Sequence, residues 1–275
     1  VTDVPFVNRE PVEVGIMVPC LNEEGNVGTA LRHIVEAMSG LDAGYWILVV
    51  DDGSTDGTVD RVREFARGAG CPIACVSNRH NEGLGYNYFL GAMLLNSTYY
   101  MMVNGDGVEQ VDDIREIIGA RRRADIVIPY LRDTRFRGVP RRQISAMYTW
   151  LVNRLSGNRI RYYNGPVLHR RDTVVEFYRR YVTRGFGYQS EIICYALRNG
   201  RSYVEVAMTN AVRKSGRTSA FAFRNIVAVL RSLMAILPRR LLERELFRAS
   251  SERFIVHEWS GSPGASGGLA GTGER

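Results

Sequence analysis

The chain predicts an α/β fold with a mostly parallel central sheet flanked by helices, and three stretches carry that prediction. Val14-Gly15-Ile16-Met17-Val18-Pro19-Cys20, Trp46-Ile47-Leu48-Val49-Val50-Asp51 and Tyr99-Tyr100-Met101-Met102-Val103 are apolar runs of strand length, rich in β-branched or aromatic residues. Each stops at a polar, acidic loop: Leu21-Asn22-Glu23-Glu24, Asp52-Gly53-Ser54-Thr55-Asp56 and Asn104-Gly105-Asp106-Gly107. Helix-like segments separate the runs, and such alternation builds a parallel-rich sheet with helices on both faces. Open α/β sheets bind ligands beyond the C-terminal ends of their strands, where all three acidic loops fall.

Taken in order, strands are expected near 13–19, 45–51, 73–77, 98–104 and 125–130, and helices near 25–39, 57–69, 84–96 and 111–122. Ser54 and Asp56 are placed to cap the helix that follows them, which leaves Asp51 and Asp52 available for a ligand. From 131 to 143 the composition turns basic, and a mobile loop is expected. The second half then predicts a helix at 143–156, a turn at Asn164-Gly165-Pro166, helices at 172–181 and 189–199, and a strand over Ser202–Ala207. Residues 221–237 span 17 positions with Arg224 and Arg231 inside, a poor membrane span. An amphipathic interfacial helix fits better, followed after Pro238 by a second helix carrying Arg239, Arg240, Arg244 and Arg248. The Gly/Ser-rich end from Gly261 predicts disorder. The expected organisation is a domain over 1–217 (halves of about 1–130 and 131–217), an amphipathic helical segment over 218–258 and a tail over 259–275.

The net charge is +7 in 275 residues, and Lys214 is the only lysine, so the positive charge is carried by arginine. Arginine suits bidentate contact with phosphate. No nucleic-acid motif accompanies the charge, and no nucleic-acid partner is expected. The four cysteines, Cys20, Cys71, Cys75 and Cys194, form no CxxC pair and read as free core thiols of a reducing compartment. No signal peptide is recognised, so a cytoplasmic setting is expected. The first strand is not followed by GxGxxG, which counts against a dinucleotide-dependent dehydrogenase. An acidic strand tip does not hold phosphate by charge attraction; it accepts hydrogen bonds from the N–H and O–H groups of a base or ribose.

Val18-Pro19-Cys20-Leu21-Asn22-Glu23, Val50-Asp51-Asp52-Gly53-Ser54-Thr55-Asp56, Asn81-Glu82-Gly83-Leu84-Gly85 and Asn104-Gly105-Asp106 together resemble glycosyltransferase family 2, of the Rossmann-like GT-A fold. The resemblance covers roughly the first two hundred residues. It points to the branch of dolichyl-phosphate mannose synthases and bacterial polyprenyl-phosphate glycosyltransferases. It implies donor-binding positions at Pro19, Leu21, Asn22, Glu23, Asp51, Asp52, Ser54, Gly83, Asn104, Gly105 and Asp106. A nucleotide diphosphate sugar, UDP- or GDP-linked, would be the donor. A divalent metal, Mg²⁺ or Mn²⁺, would be held by Asp106 and Asn104. This sequence departs from the family's Asp-x-Asp here, because Asn104 brings an oxygen but no charge and Val108 replaces an occasional third ligand. A weakened metal site follows, with Glu109 a residue that could shift in to help.

For the acceptor, the resemblance implies a lipid-linked phosphate held by Arg132, Arg135, Arg137, Arg141 and Arg217, with Arg213 on the catalytic side. A phosphate monoester is already anionic near neutrality, its second pKa being about 6, and needs no general base. The expected activity is inverting transfer of a hexose to polyprenyl or dolichyl phosphate at the cytoplasmic face of a membrane. A hydroxyl acceptor would need a base, and Glu191 in Gly187-Tyr188-Gln189-Ser190-Glu191 is then the candidate. Placed at a helix start, Glu191 also has a plain structural reading as a carboxylate favoured by the dipole. A third reading is a protein that binds nucleotide sugar without catalysis, its only support being Asn104.

Overall fold

A computed structural model of the chain describes residues 6–132, 139–181, 187–209 and 254–257. The first half alternates β1 (Val12–Cys20), α1 (Val27–Ser39), β2 (Tyr45–Asp51), α2 (Thr58–Ala69), β3 (Ile73–Asn78), α3 (Leu84–Leu94), β4 (Ser97–Met102) and α4 (Val111–Gly119). There follow β5 (Ile126–Leu131), α5 (Val139–Ser156), β6 (Leu168–Arg170), α6 (Arg171–Arg180), α7 (Tyr188–Arg198), β7 (Tyr203–Met208) and β8 (Phe254–His257). The sheet order is β7-β5-β6-β4-β1-β2-β3-β8. β1 pairs in parallel with both β2 and β4, β2 with β3, and β5 with β7. β6 runs antiparallel between β4 and β5, and β8 antiparallel to β3.

The strands are apolar throughout because both faces are covered. On one face Val14, Ile16 and Val18 of β1 pack with Leu31 and Ile34 of α1 and Ile114 and Ile117 of α4. On the other, Met17, Leu48 and Val50 meet Tyr88, Phe89, Phe177 and Tyr188 from α3, α6 and α7. Burying each large apolar side chain is worth about 1.5–3 kcal/mol relative to exposure, so these two layers fix the position of β1 at the sheet's centre. α3 is buried on nearly every side, as expected of a helix that is apolar all round. A third cluster joins Ile126 and Ile128 of β5 to Tyr148 and Val152 of α5 and Ile193 of α7.

The expected α/β class, the parallel sheet and the five first-half strands are observed. α5 begins four residues before the expected 143, so the basic stretch of 131–143 is helical from Val139 onward. β6 has three residues, too few for a periodic signal, and exists because Tyr99 and Tyr100 on one side and Ile126 and Val127 on the other leave a gap between β4 and β5. β8 forms within the stretch read as an amphipathic helical segment. The two amphipathic helices expected over 221–237 and beyond lie outside the described residues. All four cysteines are buried and unpaired.

Candidate functional site

β1 has β2 on one side and β4 on the other, so the chain crosses from β1 in opposite directions and leaves a crevice beyond their C-terminal ends. Four loops meet there, at residues 21–26, 52–57, 79–83 and 103–110. Their mutual hydrogen bonds show why those residue types recur.

The 21–26 and 52–57 loops are stitched together by side chains. Asn22 adopts a left-handed backbone, φ 56°, which asparagine tolerates better than most residues. Its N–H donates to Ser54 Oγ at 2.8 Å, and its Oδ1 accepts the Thr55 N–H at 2.8 Å. The Glu23 N–H donates to Thr58 Oγ1 at 2.9 Å, and Glu24 accepts the Gly57 N–H at 3.1 Å. Asp56 accepts the N–H of Thr58, the first residue of α2, at 3.1 Å, while the N-cap position itself is Gly57. Ser54 is not a cap; its hydroxyl holds Asn22 instead. Leu21 stands 42% exposed at the mouth of the crevice.

The adjacent carboxylates Asp51 and Asp52 are both buried but differ in what they hold. Asp51 Oδ1 accepts the Ser54 N–H at 3.2 Å. Asp52 holds more: Oδ1 accepts from Asn78 Nδ2 and the Glu82 N–H, both at 2.8 Å, and Oδ2 accepts the Gly83 N–H at 3.0 Å. Asp52 thus anchors the 79–83 loop through two of the loop's backbone N–H groups. Gly83 has φ 90°, a conformation suited to glycine, and this turns its amide toward Asp52. Asn78 and Asn87, which share a 2.7 Å hydrogen bond behind Asp52, escaped the sequence reading because isolated asparagines carry no pattern.

The 103–110 loop lies directly on β1. The Gly105 N–H donates to Pro19 O at 3.2 Å, and a Cβ at Gly105 would sit 2.6 Å from Cys20 Sγ and 2.7 Å from Pro19 O. Only glycine allows this approach, and it sets Asn104 and Asp106 beside the end of β1. Asp106 Oδ1 accepts the Val108 N–H at 3.3 Å. Asn104 Nδ2 donates to Glu109 Oε1 at 2.6 Å. Glu109 is 3% exposed, and burial, with the Asp106 charge second, pushes its carboxyl up to about 7. Its backbone carbonyl accepts His33 Nδ1–H at 2.8 Å. Among the described residues no three His, Cys, Asp or Glu side chains converge as a complete metal cage. One carboxylate and one amide oxygen fit a hard divalent ion that takes its remaining oxygen ligands from a diphosphate.

Glu191 is buried in the first turn of α7, its N–H bonded to Gly187 O at 3.2 Å. Ser190 beside it donates to Gly187 O at 2.7 Å and so accepts Tyr148 Oη–H at 2.6 Å. Arg132 is exposed at the end of β5, where its N–H pairs with Met208 O at 3.0 Å. Arg135, Arg137, Arg213 and Arg217 lie outside the described residues, as does the side chain of Arg141. Asp113, not anticipated, is buried and accepts the Thr209 N–H at 2.7 Å, which fixes the end of β7 against α4.

The family described as Glycosyl transferase family 2 matches residues 15–184, a span that contains the four loops. The chain is 25% identical over 170 residues to the dodecaprenyl-phosphate galacturonate synthase of Rhizobium johnstonii, covering 61% of this chain and 50% of that one. It is 24% identical over 235 residues to the undecaprenyl-phosphate 4-deoxy-4-formamido-L-arabinose transferase of Pseudomonas paraeruginosa, covering 83% and 67%. An enzyme of the latter name from Edwardsiella ictaluri is 23% identical, and the chain spans half the length of that relative as it does of the Rhizobium one. Among solved structures, glucosyl-3-phosphoglycerate synthase from Mycobacterium tuberculosis, in complex with Mn²⁺, UDP and phosphoglyceric acid, superposes with a TM-score of 0.60 at 15% identity. That superposition covers 90% of this chain and 87% of the other. The same enzyme has been crystallised with Mg²⁺ and UDP. The fold is therefore GT-A, and with well over half of its length matching, the chain belongs to glycosyltransferase family 2 and is a glycosyltransferase.

Proposed function

We propose that the enzyme moves a hexose from a UDP- or GDP-linked sugar to a polyprenyl or dolichyl phosphate, with inversion at the transferred carbon, at the cytoplasmic face of a membrane. The observation that carries the reading is the 103–110 loop held on Pro19, at the end of the strand whose Cys20 pairs with Asp51, in a chain whose relatives are polyprenyl-phosphate sugar transferases. Asp51 receives an N–H or O–H of the nucleotide, backed by Ser54. Asp106 and Asn104 hold a divalent ion, which when bound neutralises the charge that builds on the departing diphosphate. The acceptor phosphate attacks as an anion, and Arg132 with the arginines at 135, 137, 141, 213 and 217 draws it in. Among the described residues no helix is long and apolar enough to cross a membrane. α5 nevertheless exposes Val139, Ile144, Met147 and Trp150, an apolar surface beside the basic segment that supports peripheral contact with lipid.

A panel of labelled UDP- and GDP-sugars, incubated with a short-chain polyprenyl phosphate and Mg²⁺ or Mn²⁺, tests the reading. Label is expected in the organic phase with metal and not with EDTA. Binding of nucleotide sugar without any transfer to lipid phosphate would overturn it. The second reading, transfer to a hydroxyl, draws on the burial of Glu191 beside the Tyr148–Ser190 pair. Glu191→Gln separates the two: a base is indispensable to a hydroxyl acceptor and dispensable to a phosphate. With the family established, the non-catalytic binding protein is set aside.

A further inference from the structure

The first position of the family's paired-carboxylate motif is Asn104, which leaves Asp106 as the motif's one negative charge. Glu109 stands against this gap. It is 3% exposed, its Oε1 accepts from Asn104 Nδ2 at 2.6 Å, and its Oε2 is buried with no hydrogen-bond partner among the described residues. It is also close enough to Asp106 for the two charges to repel. A buried carboxylate oxygen left without a donor is costly unless a cation or another group compensates it.

The hydrogen bond also orients the amide. A carboxylate only accepts, so Glu109 takes the Asn104 nitrogen and turns Oδ1 the other way. An unrestrained asparagine could present either end to a cation; this one is held with its oxygen free to act as a ligand.

We propose that Glu109 is the second carboxylate of the cation site, set behind Asn104: it would hold the Asn104 oxygen free for the ion and supply the charge that Asn104 lacks. Glu109 is a positioning residue, acting through Asn104. The inference rests on the divalent-ion reading of Asp106 and Asn104. It also explains how a family member tolerates asparagine here, since an aspartate at 104 would place two carboxylates in contact.

Titration with Mn²⁺ alone and with Mn²⁺ plus UDP or GDP, followed by the electron paramagnetic resonance signal of free Mn²⁺, tests the claim without any turnover. Glu109→Gln, which removes the charge while keeping an oxygen able to accept from Asn104 Nδ2, is expected to weaken Mn²⁺ binding on the order of 10–100-fold, the usual effect of altering the group behind a metal ligand, while circular dichroism stays that of the wild type. The double variant N104D/E109Q moves the charge back into the motif and is expected to recover wild-type affinity. A folded Glu109→Gln protein that binds Mn²⁺ within twofold of wild type would overturn the role of Glu109 and leave the metal reading intact. Failure of the wild type to bind Mn²⁺, with or without nucleotide, would overturn both. Should Glu109→Gln not fold, the double variant carries the test alone, and loss of folding in both makes Glu109 a folding residue and refutes the proposal.

Discussion

Asp52 Oδ2 accepts the backbone N–H of Gly83 at 3.0 Å, a contact that closes 31 residues of chain and ties the end of β2 to the start of α3. With the Glu82 N–H and Asn78 Nδ2 on its other oxygen, Asp52 serves as the hub on which the 79–83 loop is hung. Asp52→Asn places an NH₂ either against the Gly83 N–H or against the Glu82 N–H together with Asn78 Nδ2. The expected loss is about 2–3 kcal/mol of folding stability, the range for hydrogen bonds to a buried charged group. Urea unfolding measures it, and an unchanged midpoint would show that the loop is held by other contacts.

Asp51, one residue earlier, has a different fate. Replaced by asparagine it keeps the oxygen that receives the Ser54 N–H and loses the charge offered to the nucleotide. Asp51→Asn is expected to raise the donor KM about tenfold, some 1.4 kcal/mol, with stability changed by less than Asp52→Asn. Equal losses of stability in the two variants would contradict the division of labour.

On the proposed reading, Asp106 is the carboxylate that would hold the divalent ion against the diphosphate. Its removal in Asp106→Asn is expected to lower kcat by at least about 100-fold, as for loss of a principal group that stabilises transition-state charge. Nucleotide binding measured without metal should be little affected. A variant with near wild-type turnover in the presence of EDTA would mean that the reaction runs without a divalent ion.

The sequence disclosed the sheet and the loops at its edge because long buried parallel strands are written as continuous apolar runs, and each ends at an abrupt change of polarity. The loops of Asn22, Asp51 and Asp106 are legible in this way, whereas Gly83 comes only with the family resemblance. What the loops do to one another is not legible. Ser54 reads in sequence as a helix cap but holds Asn22, since a hydroxyl near a helix start satisfies either partner equally well. Asp52 and Asp51 look equivalent in a string of letters, yet alternating side chains along β2 send them to different neighbours. β6 and β8 were missed because short antiparallel strands depend on distant partners for their existence. Glu109 was seen only as a residue that could help, because nothing in sequence shows that its carboxylate lies 2.6 Å from the Asn104 amide.

The pH dependence of stability rests on two fully buried groups with opposite signs. His169 on β6 donates from Nε2 to Gln189 Oε1 at 3.1 Å, and burial drives its pKa down to about 4 from an ordinary 6.5. Between those values the unfolded chain binds a proton that the folded one refuses. His169 therefore contributes stability above pH 6.5 that is lost as pH falls toward 4, roughly 3 kcal/mol in all. Glu109 does the reverse without metal: its pKa of about 7 means that the folded chain keeps a proton the unfolded one releases above 4.5, so stability falls as pH rises through that window. The two slopes oppose each other between pH 5 and 6.5, and the wild type is expected to be nearly flat there in EDTA. His169→Gln should unmask a decline in stability with rising pH, and Glu109→Gln a gain. Urea midpoints at pH 5 and 6.5 measure both, and parallel profiles for the two variants would show that neither group is buried as described.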